Sequence, residues 1–232
     1  MTRYILCLLL AITASHAQSS WSDLAEHFDQ LNTAIRDNQM AKHQAQKEMQ
    51  TILEALAKQA QKQIWDSTFV FPVKGYSSTA IGGKNGSGYA PGSYDYYTGN
   101  KHTGHPAHDI FIYDRNQDSR DDNTLAPVFV LSATSGVVVS CAPTWDEASP
   151  LRGGKYVWIF DPKGHRLFYY AHNDSLLVKL GDLVQPGSAI AYVGRTGRNA
   201  SQKRSPTHLH LMTLAIDNLA HLKPINIYDQ LH

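Results

Sequence analysis

Apolar residues recur at helical spacing near the start of the chain. Residues 22–65 contain neither Gly nor Pro, and Gln, Lys, Asp and Glu fill the opposite faces. The apolar positions are Trp21, Leu24, Phe28, Leu31 and Ile35, then Ala45, Met49, Ile52, Leu56 and Ala60. A period near 3.6 residues predicts amphipathic helix. Asp37 and Asn38, midway, indicate either a break between two antiparallel helices or a tolerated interruption of one long helix, so a helical hairpin packed on the main domain and a short coiled coil both fit.

The pattern changes completely after Ser67, where Gly, Pro, Tyr and Ser become frequent and the helical period ends. Short runs rich in β-branched and aromatic residues follow, bounded by turn residues. These runs are residues 128–132, 137–141, 156–160, 167–172, 189–193 and 208–214. The sequence Asp-Pro-Lys-Gly at 161–164 is typical of a hairpin turn. We therefore expect a mainly antiparallel β domain over residues 67–232, preceded by a helical segment over residues 18–66.

Residues 75–104 are rich in Gly and Tyr and show little periodicity. This composition predicts a long loop, and loops of that length within a domain are often functional.

The first residues carry the features of an export signal. Thr2 and Arg3 give a positive start, residues 4–12 are apolar, and Ser15-His16-Ala17 offers small residues before a cleavage point. The apolar run is much shorter than the roughly 20 residues that cross a bilayer. We expect residues 1–17 to be a signal peptide, no transmembrane segment after its removal, and a periplasmic or secreted protein. Its removal takes Cys7, so Cys141 remains alone and no intramolecular disulfide is expected.

Composition narrows the range of partners. The 232 residues are 42% hydrophobic, which is enough for one well-buried domain and an accessory segment. Lys and Arg number 21 against 20 Asp and Glu. A nucleic-acid partner favours a clear basic excess, so nucleic acid is not expected.

Two histidine motifs adjoin predicted strands, His105-Pro-Ala-His108-Asp109 and His208-Leu-His210. Zinc binds neutral imidazole and carboxylate, and a catalytic site uses three protein ligands and leaves a fourth position for water. His105, Asp109 and His210 would supply such a set. Residues two apart in a strand project to the same side, so His208 and His210 can face one site while Leu209 points into the core.

His172 closes another predicted strand and is consistent with the same site. Bound zinc would acidify its water and polarise a carbonyl group. Cleavage of a peptide bond also requires proton transfer and stabilisation of an oxyanion. Neither histidine motif contains Glu, so imidazoles would have to serve these roles.

These motifs carry a family resemblance. The motif around His105 and Asp109, the Tyr170-Ala-His172 motif and His208-Leu-His210, in this order, resemble the lysostaphin/LytM-type zinc metallopeptidases, which cut peptide bonds in bacterial cell walls. The resemblance covers roughly residues 71–232. It includes a glycine-punctuated hairpin before the last motif, formed by Gly181-Asp-Leu-Val184, Pro186-Gly187, Ile190, Gly194 and Thr196-Gly197.

The resemblance implies a small antiparallel β core, barrel-like and with a groove, in which His105, Asp109 and His210 hold zinc. It implies catalytic roles for His172 and His208, with His208 as general base and His172 as stabiliser of the transition state. Two positions depart from the family pattern. Ala107 stands where glycine is usual, and His108, which replaces an apolar residue, is expected to be exposed.

Two charged stretches have less specific patterns. Asp114-Arg-Asn116-Gln-Asp118 has the alternating oxygen ligands of a calcium loop but has Ser119 and Leu125 where such a loop needs Gly and Glu, so a solvated acidic turn is expected. Arg195, Arg198, Lys203 and Arg204 could rim the groove or form a solvated loop.

The leading hypothesis is an exported zinc metalloendopeptidase that hydrolyses peptide bonds in peptidoglycan, at stem-peptide cross-links or bridges. The alternative is a non-catalytic relative that binds and regulates another cell-wall hydrolase. A third hypothesis is a scaffold that self-associates through the helical segment.

Overall fold

The computed structural model describes residues 20–101, 103–217 and 221–232. The predicted signal peptide and Cys7 lie outside the described residues. Among the residues that are described, no helix combines the length and the apolar character needed to cross a membrane.

Two helices open the described chain, α1 (Trp21–Arg36) and α2 (Lys42–Ala60). Ser20 and Asp23 form a capping box at the start of α1, in which each side chain accepts a hydrogen bond from the other residue's backbone N–H. Asn38 takes a left-handed conformation, with φ of 55°, in the short connection. Of the two alternatives at Asp37 and Asn38, the structure has the break, and the two helices pack on each other as a helical hairpin.

Twelve strands follow. They are β1 (Ala107–Phe111), β2 (Arg120–Asp121), β3 (Ala126–Pro127), β4 (Phe129–Leu131), β5 (Gly136–Ala142), β6 (Lys155–Asp161), β7 (Arg166–Asn173), β8 (Ser175–Leu176), β9 (Leu183–Val184), β10 (Ala189–Tyr192), β11 (His208–Ile216) and β12 (Leu222–Pro224). The main sheet has the order β1-β11-β7-β6-β5-β9, and β12 pairs with β11. A smaller sheet has the order β4-β10-β8, and all pairings are antiparallel. The predicted fold class, mainly antiparallel β with an N-terminal helical hairpin, is confirmed.

Both faces of the main sheet are covered, which explains the near-continuous apolar runs in β5, β6 and β7. One face, with Val137, Trp158 and Phe160, packs against the helical hairpin. The other face, with Val138 and Ile159, packs against the smaller sheet. The apolar positions of the helices are therefore buried within the chain itself.

A buried polar network fixes the helical hairpin on the sheet. The Asn32 side-chain amide donates to the Ser140 hydroxyl at 3.1 Å and accepts from the Tyr96 hydroxyl at 2.7 Å. The Ser140 hydroxyl donates in turn to the Asp29 carboxylate at 2.5 Å. The helical segment is a packing element of the fold, and self-association through it stays a prediction, as does the domain boundary at Ser67.

The segment between residues 75 and 104 is confirmed as a long connection. It contains three short 3-10 turns, at Ser78–Ala80, Lys84–Gly86 and Tyr96–Lys101. Isolated bridges tie it to β1 at Ile81 and Ile110 and to the first histidine motif at Ala90 and His105.

Candidate metal centre

Strand pairing brings the two histidine motifs together. In the β1–β11 register Asp109 lies opposite His210. His105 precedes β1, and two backbone hydrogen bonds with Ala90 hold it, His105 N–H to the Ala90 carbonyl at 2.7 Å and Ala90 N–H to the His105 carbonyl at 2.8 Å. Three residues separated by up to 105 positions therefore share one end of the sheet, because β11 pairs with β1.

The three side chains converge on the Asp109 carboxylate. His105 Nε2 lies 3.1 Å from Asp109 Oδ2, and His210 Nδ1 lies 3.0 Å from Asp109 Oδ1. One donor atom from each of the three residues lies within 4.8 Å of the other two. Two imidazole nitrogens and a carboxylate oxygen at this spacing can hold one divalent ion.

The protonation pattern supports a cation at this position. His105 Nδ1 lies 2.9 Å from the carbonyl oxygen of Gly88. A carbonyl only accepts, so Nδ1 carries the proton, and the Nε2 lone pair of neutral His105 faces a carboxylate oxygen. Two atoms that each present a lone pair need a proton or a metal ion between them. The two imidazoles and the carboxylate therefore fit zinc.

The pKa of each group follows from the same contacts. Burial alone would raise the pKa of Asp109, but hydrogen bonds with His105 and His210 bring it well below its ordinary value. The hydrogen bond to Asp109 raises the pKa of His105 against the effect of burial. The carboxylate stays ionised, as a metal ligand must.

His208 lies beside these three residues. Its Nδ1 donates to the carbonyl oxygen of Pro206 at 2.7 Å, which leaves the Nε2 lone pair facing the site, 3.6 Å from Asp109 Oδ1. The side chain is only 7% exposed, and burial lowers its pKa. His208 is therefore a neutral imidazole with a free acceptor nitrogen. Leu209, between the two histidines, is fully buried, as predicted.

His172 faces the same site from the end of β7. Its ring centre lies 5.0 Å from that of His208 and 5.4 Å from that of His210. Its Nδ1 donates to the carbonyl oxygen of Thr196 at 2.8 Å. Burial lowers its pKa well below the ordinary value. Its φ of 66° is unusual for a residue with a side chain, and backbone strain of this kind clusters at functional sites.

Thr196 has a positioning role that the sequence did not reveal. Its hydroxyl donates to the Asn173 carbonyl at 2.8 Å and accepts from Lys155 N–H at 2.9 Å, so it joins the ends of β6 and β7. Its own carbonyl holds the His172 ring. The sequence marked Thr196 only as part of the glycine-punctuated hairpin.

A cavity of about 320 Å³ extends from His105, Asp109 and His210 along the sheet. Its aromatic wall includes Tyr96, Trp158 and Tyr169, and α1 contributes Ile35 and Arg36. The long connection contributes Gly99, Asn100 and Gly104. No pattern in the sequence indicates that the helical segment borders the site, because this contact depends on how the hairpin packs on the sheet.

The expectation that His108 is exposed is wrong. It is 2% exposed and its Nε2 lies 3.0 Å from the Asn226 side-chain oxygen. Its ring stacks on Tyr89 at 5.5 Å and lies 6.0 Å from Tyr228. Adjacent strand residues face opposite sides, so His108 points away from Asp109, and the C-terminal segment covers that side.

Comparison with known proteins finds a family whose model matches part of the chain. Residues 123–223 match the model of peptidase family M23. The resemblance to lysostaphin/LytM-type peptidases is thereby confirmed. The matched range, a little under half of the chain, contains His172, His208 and His210 and begins after His105 and Asp109. In the structure, β1 and the loop before it bring Asp109 and His105 beside the histidines of the matched range.

Several solved structures are similar to the chain at low identity. A zinc-containing peptidase from Vibrio cholerae is 25% identical, with a TM-score of 0.44 over 69% of this chain and 39% of that protein. A LytM protein from Ruminococcus gnavus is 24% identical, with a TM-score of 0.47 over 78% of this chain and 63% of that protein. The catalytic domain of lysostaphin from Staphylococcus simulans is 18% identical, with a TM-score of 0.38 over 75% of this chain and 97% of that domain. This chain thus spans less than two thirds of the first two proteins, and TM-scores below 0.5 carry no conclusion about function.

Proposed function

We propose that the chain is an exported zinc metalloendopeptidase that hydrolyses peptide bonds in bacterial peptidoglycan, at stem-peptide cross-links or bridges. The observation that supports this most strongly is the convergence of His105, Asp109 and His210 within 4.8 Å, beside two further buried imidazoles. The M23 match supports the peptidase chemistry. The predicted signal peptide and the sequence resemblance support the location and the substrate.

His105, Asp109 and His210 would hold the zinc ion. When bound, zinc supplies a Lewis acid that lowers the pKa of a water molecule and polarises a peptide carbonyl. His105 is oriented for this by the Gly88 carbonyl, and Asp109 and His210 by the β1–β11 pairing. Ligands fixed by such outer contacts bind a metal with less loss of freedom.

His208 would act as general base. Because Pro206 holds its Nδ1 proton, Nε2 is the atom that accepts a proton from the attacking water. Burial keeps it neutral and ready to accept. The protonated ring can then return that proton to the departing amine.

His172 would stabilise the oxyanion that forms at the peptide carbonyl. Thr196 holds its Nδ1, so its neutral form presents a lone pair on Nε2 and cannot donate there. The stabilising role therefore requires a proton on Nε2. Negative charge developing beside the ring favours that protonated form.

A non-catalytic relative that regulates another cell-wall hydrolase is the second candidate. Retention of three candidate ligand side chains and two buried imidazoles beside them favours the enzyme, because a regulator needs none of the proton-transfer geometry. Mass spectrometry of fragments released from purified peptidoglycan by the zinc-loaded protein separates the two. Release of peptide fragments, abolished in His208→Ala, supports the enzyme. Binding to the wall with no fragments released supports the regulator.

A further inference from the structure

The acidic turn that follows β1 is bound to the segment that carries His208. The Asp114 side chain is 93% buried, being 7% exposed. Its Oδ1 accepts from Asp118 N–H at 3.1 Å and its Oδ2 from Ser119 N–H at 2.9 Å. The same Oδ2 accepts from the Thr207 hydroxyl at 2.6 Å. The expectation of a solvated turn is therefore wrong for Asp114.

Thr207 is the residue directly before His208 and is fully buried. Its hydroxyl donates to Asp114 and accepts from Arg195 Nη1 at 3.1 Å. Its carbonyl accepts from Ile112 N–H at 3.1 Å, which extends the β1–β11 pairing by one step. Thr207 is thus held through both its side chain and its backbone.

Arg195 and the acidic turn also hold the residues before Thr207. Arg195 donates to the Ser205 carbonyl at 2.7 Å and to the Gln202 carbonyl at 3.1 Å. From the acidic turn, the Gln117 side-chain amide donates to the Lys203 carbonyl at 2.9 Å. Arg195 therefore belongs to the support of this segment, and its guanidinium is directed at backbone carbonyls.

The location of this segment determines the location of the His208 ring. The ring's Nδ1 proton is held by the carbonyl of Pro206, one residue before Thr207. A shift of Thr207 moves that carbonyl and the attached ring together. A buried carboxylate needs its hydrogen bonds, since removing one partner leaves an unpaired charge, so the Asp114–Thr207 bond resists such a shift.

We propose that Asp114 and Thr207 are positioning residues that hold His208 in the orientation and tautomer required of a general base. The inference rests on the proposed function for its catalytic consequence, and on the hydrogen bonds alone for its structural one. The Asp114 carboxylate fixes Thr207, Thr207 fixes the Pro206 carbonyl, and that carbonyl keeps the proton on Nδ1.

The test compares Thr207→Val, which removes the hydroxyl at nearly constant volume, with Thr207→Ser, which keeps it. Thr213→Val is the matched control: Thr213 lies on β11, which begins directly after Thr207, is 1% exposed, and its hydroxyl has no hydrogen-bond partner among the described residues. The first measurement is exchange with water of the His208 Nδ1 proton, by ¹⁵N-edited NMR on the zinc-loaded protein. The second is kcat and KM on a peptidoglycan peptide.

We expect Thr207→Val to accelerate exchange of the Nδ1 proton and to lower kcat about tenfold with little change in KM or zinc content. Thr207→Ser and Thr213→Val should each have the Nδ1 exchange rate and the kcat of the wild type. Unchanged exchange in Thr207→Val, or equal defects in the Ser and Val variants, would overturn the inference. Should Thr207→Val not fold, Asp114→Asn against Thr207→Ser gives the same comparison.

The NMR readout separates this inference from the proposed function. Wild-type protein that releases no fragments, with Nδ1 exchange still dependent on the Thr207 hydroxyl, would refute the peptidase and retain the positioning role. Active wild-type protein whose Nδ1 exchange does not depend on the Thr207 hydroxyl would retain the peptidase and refute the positioning role.

Discussion

Asp109 lies directly opposite His210 in the β1–β11 register, and their side chains approach to 3.0 Å. The two side chains thus come from two neighbouring strands, and the backbone hydrogen bonds of the sheet set their separation. His105, four residues before Asp109, completes the set from a loop bridged to Ala90. A metal ion at this point would join two strands and a loop.

Metal removal should therefore lower stability. We expect a chelator to decrease the melting temperature of the zinc-loaded protein by about 8 °C when the free zinc had been about 100 times its dissociation constant. Differential scanning calorimetry with and without chelator measures this. His210→Ala is the control, because a protein that no longer binds zinc should show no shift. An equal shift in that variant would contradict the assignment.

The close approach of Gly154 to Thr196 gives a second prediction. Gly154 has φ of 68°, and a Cβ there would overlap the Thr196 backbone and hydroxyl. Because the Thr196 carbonyl holds His172, we expect Gly154→Ala to cost about 3 kcal/mol of unfolding free energy and to lower activity. Urea unfolding and peptide cleavage assays measure the two effects.

Gly187→Ala is the matched control for that variant. Gly187 has φ of 84°, but a Cβ there would meet nothing within 4 Å. Gly187→Ala should lower the unfolding free energy by about 1 kcal/mol, the strain of a left-handed alanine, and leave activity intact. Equal losses in the two variants would show that backbone strain, and not contact with Thr196, is responsible.

The Asn32 network predicts how firmly the helical hairpin is attached. Asn32→Ala leaves the buried hydroxyls of Tyr96 and Ser140 without its amide, so we expect a loss of about 2 kcal/mol in unfolding free energy. Lys58→Ala, on an exposed face of α2, should change it by less than about 0.5 kcal/mol. Urea unfolding compares them. A similar effect of both would mean that the network adds little.

Local patterns in the sequence predicted much of this structure. All six predicted strand runs are present, as β4, β5, β6, β7, β10 and β11. The same-side projection of His208 and His210 also follows from a local rule, since it depends on neighbouring residues only, whereas the local pattern at Asn38 left a break and one long helix open. β8 and β9, at two residues each, have no periodicity to detect and are defined by their pairing partners.

Contacts between distant segments could not be predicted in this way. His108 looked like an exposed polar residue, but the C-terminal segment with Asn226 and Tyr228 buries it. Asp114 looked like part of a solvated turn, but the hydroxyl of Thr207, 93 positions away, donates a hydrogen bond to its buried carboxylate. Both interactions arise where the chain returns beside β1, and no spacing within one motif encodes that return.

Zinc content is the most direct test of the central claim, that His105, Asp109 and His210 hold one metal ion while His208 acts on the substrate. Inductively coupled plasma mass spectrometry on folded wild type, His210→Ala and His208→Ala should give about one zinc per chain in the wild type and in His208→Ala. His210→Ala should hold almost none, and only the wild type should release wall fragments. Equal loss of zinc in both variants, or full zinc in His210→Ala, would contradict the account.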